Sequence, residues 1–77
     1  MSKTSTIRFR KNTEVGVVSR KGRFKGVDLV KKGFETDAHL SNAHVVEDDG
    51  DMIETVDIET PSGETWVDIP YASFRFV

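Results

Sequence analysis

Two imidazoles, His39 and His44, precede a run of carboxylates at Asp48, Asp49 and Asp51. Imidazole and carboxylate together are the donors of a divalent-cation site. Residues five apart on one strand project to opposite faces unless a bulge intervenes, however, so the two histidines make poor joint ligands. The acidic run also lacks the spacing of a helix–loop–helix calcium site. Ser41 lies between the histidines as a conceivable nucleophile, without the strained turn that activates one. Gly22 and Gly26 suit a turn and a bulge between strands better than a nucleotide cradle. No metal, cofactor or catalytic group is assigned on these residues, and the chain reads as a binding protein rather than an enzyme.

The cations carry more information. Residues 1–32 hold ten Lys/Arg against Glu14 and Asp28, a surplus of +8, while residues 33–77 hold Arg75 against eleven acids, for a total of −2. A bipolar molecule would present one face to phosphates and repel them from the other. Basic strands paired with acidic ones through cross-strand ion pairs would give the same composition. On the first reading Lys31 and Lys32 neutralise phosphates, with Arg20, Lys21, Arg23 and Lys25 as part of a broader footprint that also includes Arg8, Arg10 and Lys11. Tyr71 or Phe34 would stack on an unpaired base, worth about 1–3 kcal/mol per base. On the second reading both rings are ordinary core packing.

The elements that must position these groups are strands. Val plus Ile number 14 and Leu plus Ala number 5 in 77 residues, a strand-former's composition that leaves no room for a helical bundle or a second domain. With no cysteine to staple so small a core, stability must come from a tight barrel or from self-association. Ile7 and Phe9 alternate with Arg8 and Arg10, so residues 1–12 are an N-terminal strand or arm. Strands follow at Glu14–Ser19 and Arg23–Val30, joined by the turn Arg20-Lys21-Gly22, and Lys31-Lys32-Gly33 is a loop tip. From Thr36 to Val46 the apolar phase changes between Ala38/Leu40 and Ala43/Val45, which predicts a bulge near Asn42 or burial on both faces. Glu47–Asp51 is a turn around Asp-Gly. Val56 and Ile58 mark a half-buried strand, and Pro61-Ser62-Gly63 a turn. In the next strand Val67 and Ile69 face inward and Trp66 and Asp68 outward. Pro70 breaks the ladder, and Phe74 and Phe76 alternate in a terminal strand. The expected fold is all-β, a small, strongly bent antiparallel barrel spanning residues 1–77. No apolar run is long enough to cross a membrane and no signal segment stands at the N-terminus, so the expected location is the cytoplasm.

Gly22-Arg23-Phe24-Lys25-Gly26 with Leu29, followed by Thr36–Ala43, resembles the first sequence motif of Sm-like RNA-binding proteins. Residues Ile69–Val77 resemble the second. The family's strand reads Met-Asn-Leu-x-Leu-x-Asp-Ala, so Asp37 falls where its base-reading Asn lies. Three departures are visible. Gly22 to Gly26 is one residue short, Gly26 to Asp37 is one long, and Pro70-Tyr71 replaces Arg-Gly or Lys-His. The resemblance implies a five-stranded bent barrel whose fourth and fifth strands pair edge to edge, closing a homo-oligomeric ring of roughly five to seven subunits around RNA or another single strand. It places the base-binding loops at Lys31–Asp37 and Ile69–Ser73. Asp37 would read a base edge as an acceptor only; otherwise it caps the Lys31–Thr36 loop. Trp66 would serve as an inter-subunit contact.

Two alternatives remain open. One is a peptide-binding barrel of the Src-homology type. Its end also runs strand, one 3₁₀ turn, strand, as in Trp66–Val77, and it would use Trp66 and Tyr71 in a groove for Pro-rich ligands. The other is a structural or regulatory ring subunit with no nucleic-acid role.

Overall fold

A computed structural model describes residues 4–77. The chain forms seven strands: β1 (Ser5–Phe9), β2 (Thr13–Val18), β3 (Phe24–Val30), β4 (Glu35–Asp48), β5 (Asp51–Glu59), β6 (Thr65–Pro70) and β7 (Phe74–Phe76), with a 3₁₀ turn at Tyr71–Ser73. They make one antiparallel sheet in the order β3-β2-β6-β5-β4-β1-β7, whose edges are β3 and β7. Ser5–Phe9 of the expected 1–12 segment is therefore a strand seated between β4 and β7 and not an arm, while residues 1–3 lie outside the described residues. No helix of the described residues is long and apolar enough to cross a membrane.

Local chemistry accounts for the turns. Asp49 (φ 49°) and Gly50 (φ 84°) both take left-handed backbone between paired Asp48 and Asp51. That is the two-residue loop whose twist matches a hairpin, and it is shorter than the expected Glu47–Asp51 turn. Gly26 (φ 130°) sits where β2 and β3 slip register between Val17 and Val18, a bulge that β-branched residues would not tolerate. Pro70 has no N–H to continue the β6 ladder, and its φ of −61° leads into the 3₁₀ turn. That one turn carries the chain from β6 to the far edge, where β7 pairs with β1.

The core comprises Ile7, Phe9, Val15, Val17, Val30, Ala38, Val56, Ile58, Ile69 and Phe74, with Leu40 and Trp66 packed against it. Alternation on β1, β2 and β5 supplies most of it. Phe9 is its centre, its ring 5.9 Å from Trp66 and 6.1 Å from Phe74. A Phe buried this fully costs about 3–5 kcal/mol when cut to Ala.

Two further bulges, beyond the one at Gly26, disturb the alternation. In β4 the register shifts between Ser41 and His44, with Asn42 at φ 52°, where the sequence predicts a bulge. Beyond it Val45 is exposed, because the β4–β5 hairpin has run past the core. The second lies in β6, where Val67 and Asp68 (φ 58°) together oppose the single residue Asp57 between Val56 and Ile58 of β5. It resets the phase of β6, so Trp66 and Ile69 both reach the core. The expected outward Trp66 is thus corrected: it packs on Phe9 and the core. The terminal strand forms as expected, with Phe74 buried and Phe76 57% exposed.

Candidate nucleic-acid interface

Four cations converge at the end of β1. Arg8 on β1 lies opposite Glu35 on β4 and opposite Arg75 on β7. Its guanidinium donates to one oxygen of Glu35 through Nε (2.9 Å) and Nη2 (2.6 Å). Arg10 lies just beyond β1, its backbone N–H donating to the Ser73 carbonyl. The β3–β4 loop is tied down from below: Gly33 N–H donates to Phe9 O, Phe9 N–H to Phe34 O, and Lys32 N–H to the Asn12 side-chain oxygen. Gly33, at φ 91°, makes that turn. The fixed loop places Lys32 on a cleft of about 460 Å³ with Arg8, Arg10 and Arg75. Among the described residues, Arg8 alone of these four has a carboxylate within 4.0 Å. Four positive charges therefore face one negative charge. Arg8 opposite Arg75 is a like-charged cross-strand pair, an arrangement that destabilises a sheet.

The other flank of the same loop is aromatic. Lys31 and Phe34 line a second cleft, of about 370 Å³, with Leu29 and Trp66. Phe34 is 47% exposed, and its ring centre lies 6.3 Å from that of Trp66 at 51°. Trp66 is held in turn by its near edge-on contact with Phe9. Residues 31–34 thus form a ridge with a cationic cleft on one side and a two-ring platform on the other.

The remaining sequence candidates lie elsewhere. Arg20, Lys21, Arg23 and Lys25 surround the β2–β3 turn, where Arg20 donates to the Ser62 carbonyl and Lys25 pairs with Glu64. The Lys25–Glu64 pair joins the basic and acidic halves, but the pair between register partners on adjacent strands is Arg8–Glu35. Tyr71 stacks obliquely on Phe74 and borders a shallow depression with His44 and Thr55. Asp37 is on β4 instead of in a loop, and its carboxylate accepts from the Thr6 hydroxyl at 2.9 Å instead of capping the Lys31–Thr36 loop. It borders a depression with His39 and Glu59. The structure therefore joins Lys31 to Phe34 but separates both from Tyr71 and Asp37. The loop is also shorter than Lys31–Asp37, since β4 begins at Glu35. Arg75 is the cleft residue that sequence reading leaves out. Its alternation with Phe74 and Phe76 is the available signal, but the strand it faces is not.

A second polar cluster spans β4, β5 and β6. His44 Nδ1–H donates to the Asn42 carbonyl at 2.5 Å, and Nε2 lies 2.5 Å from Asp68 Oδ1. The Asn42 amide and the Asp68 backbone N–H each donate to an oxygen of Asp57. The Asn42 carbonyl first, then the Asp68 carboxylate, hold the His44 imidazole above its ordinary titration range; partial desolvation opposes them. His39 is apart from this cluster, 3.9 Å from Glu59.

No protein-family model matches the chain, and searches of curated proteins and of solved structures return no match.

Proposed function

We propose that the protein binds single-stranded nucleic acid, RNA foremost, at the Lys31–Phe34 ridge, and that it acts by binding and not by catalysis. The observation that carries this reading is the pairing of a cationic cleft with an aromatic platform across one rigid loop. Phosphates of a strand crossing the ridge would lie among Arg8, Arg10, Lys32 and Arg75, and a base would lie against Phe34 and Trp66. Groove charge tracks the backbone and stacking accepts any base. Arg supplies planar, two-pronged donors suited to phosphate oxygens.

In the same reading the sheet is a strongly bent small barrel of Sm-like type. Support comes from β4, which gives residues 35–38 to β1 and residues 39–48 to β5 on either side of its bend. The chain associates into a ring through its two unpaired edges. The family's arrangement would pair the strand before the 3₁₀ turn with the terminal strand of a neighbour. Here β6 is already paired on both sides, by β5 and β2, so the contact passes to β3 and β7. Phe24 and Val27 on β3 are 62% and 66% exposed, in keeping with an edge that is covered in an assembly. The Src-homology alternative loses its groove, because Trp66 and Tyr71 line different clefts.

Fluorescence polarisation with short U-rich and A-rich RNA and the matching DNA, titrated with salt, tests the reading. Expected are binding at low salt and a steep loss of affinity as salt rises. Salt-independent affinity, or no binding at low salt, refutes it. Light scattering tests the assembly, and a mass of one chain at every concentration excludes the ring.

A further inference from the structure

Three side chains on consecutive strands meet outside the cleft described above. His44 of β4, Asp57 of β5 and Asp68 of β6 each offer a ligand atom, and these atoms all lie within 4.8 Å of one another. We propose that His44, Asp57 and Asp68 form a site for one divalent transition-metal ion of the zinc class, clipping the three strands together.

The convergence depends on irregular backbone. The bulges of β4 and β6 both fall at this point, one between Ser41 and His44 and the other opposite Asp57, and Asp68 itself takes φ 58°. The surroundings then orient each donor. A carbonyl on Nδ1–H fixes the imidazole tautomer that leaves Nε2 to coordinate, which is the usual outer partner of a metal-bound histidine. Asp57 is held through both oxygens, by the Asn42 amide at 2.9 Å and the Asp68 N–H at 3.1 Å. Each of those oxygens keeps a lone pair. Among the described residues no Lys or Arg nitrogen lies within 4.0 Å of Asp57 or Asp68. A protonated His44 offsets one of the two negative charges, whereas a divalent ion offsets both.

Donor chemistry selects the ion. One imidazole and two carboxylates, with the remaining positions left to water, suit Zn²⁺, Co²⁺ or Ni²⁺; Ca²⁺ and Mg²⁺ prefer all-oxygen shells. Bonds of about 2.0–2.2 Å in a tetrahedron set neighbouring ligand atoms roughly 3.3–3.6 Å apart. The Nε2–Oδ1 pair, at 2.5 Å, must open by about 1 Å, and any separation near the 4.8 Å bound must close by up to about 1.5 Å. Asp68 is exposed and the other two half-buried, so rotamer adjustment meets both demands. The exchange balances as one proton leaving His44 Nε2 while one M²⁺ takes its place.

The test uses EDTA-stripped protein titrated with ZnCl₂ by calorimetry and with CoCl₂ by visible absorption, with CaCl₂ and MgCl₂ in parallel. Expected are one ion per chain, proton release near neutral pH, a higher melting temperature with Zn²⁺ or Co²⁺, and no response to Ca²⁺ or Mg²⁺ at the same concentration. His44→Gln and Asp68→Asn lose affinity by about tenfold or more, while His39→Gln retains it. Should a variant fail to fold, NMR of the wild type decides: Zn²⁺ must shift the His44 ring nitrogens and leave those of His39. No saturable binding in the millimolar range, unchanged affinity in a folded His44→Gln variant, or a shift at His39 instead overturns the proposal.

Discussion

Replacing Arg75 by Gln separates a functional cation from a structural one. Arg75 lies on an edge strand directly opposite Arg8, with no carboxylate within 4.0 Å among the described residues. The like-charged pair costs the fold about 0.2–1 kcal/mol, so the variant is as stable as the wild type or more stable by up to that amount. Binding moves the other way. Of the four cleft cations, Glu35 offsets one through Arg8, leaving three to neutralise phosphates. For a single strand the salt slope is about −0.7 per phosphate, or about −2 in total, so raising salt fourfold weakens wild-type binding about twenty-fold. Losing one contact brings the slope to about −1.4 and the loss to about sevenfold. Glu35→Gln works in the opposite direction, releasing Arg8 and steepening the slope. Lys25→Gln, at the far turn where Lys25 meets Glu64, leaves the slope alone. Fluorescence polarisation over a salt series, with thermal melts on the same samples, reads all three. An Arg75→Gln variant with an unchanged slope, or a Lys25→Gln variant with a reduced one, refutes the assignment of the cleft.

Phe34→Ala should weaken binding to an unstructured oligonucleotide by about 1–3 kcal/mol while leaving the salt slope intact, because it removes stacking and no charge; polarisation at two salt concentrations checks this. Ser73 is buried and its hydroxyl has no hydrogen-bond partner, so Ser73→Ala should raise stability, up to roughly 1–3 kcal/mol, in chemical denaturation. In EDTA-treated protein the folded state holds the His44 proton more tightly than the unfolded chain does. Its contribution is full below the unfolded value of about 6.5 and is lost as pH rises through the higher folded value. Melting temperatures measured upward from slightly acidic pH should fall in the wild type by more than in His44→Gln.

Much of the sheet is legible because period-two alternation and turn chemistry are local. Ile7/Phe9 and Val56/Ile58 announce their buried faces, and Asp49-Gly50 and Pro61–Gly63 announce turns. Pro70 announces the end of a strand. The bulge at Asn42 is legible too, as a break in the apolar phase. The second bulge is not. Nothing in Trp66-Val67-Asp68-Ile69 announces an extra residue, and the irregularity shows only in the pairing with β5. That hidden shift is why Trp66 reads as outward from its own strand and yet packs on Phe9.

The same shift decides how the two polar sites are built. A regular β6 would point Trp66 away from Phe34, and the Lys31–Phe34 ridge would have a cationic cleft with no platform beside it. It would also carry Asp68 away from His44. One extra residue in β6 thus serves both sites, which share no side chain. The cleft adds a second kind of non-local information, the pairing of β7 with β1, which sets Arg75 against Arg8 across some sixty-seven positions of sequence. Charge counts along the chain find the basic half but not this pairing. They favour the cluster at Arg20–Lys25, where Lys25 is offset by Glu64, over the sparser set of Arg8, Arg10, Lys32 and Arg75, whose only contacting acid among the described residues is Glu35. What matters for an anion is uncompensated charge held in one place, and that is a property of the register between strands.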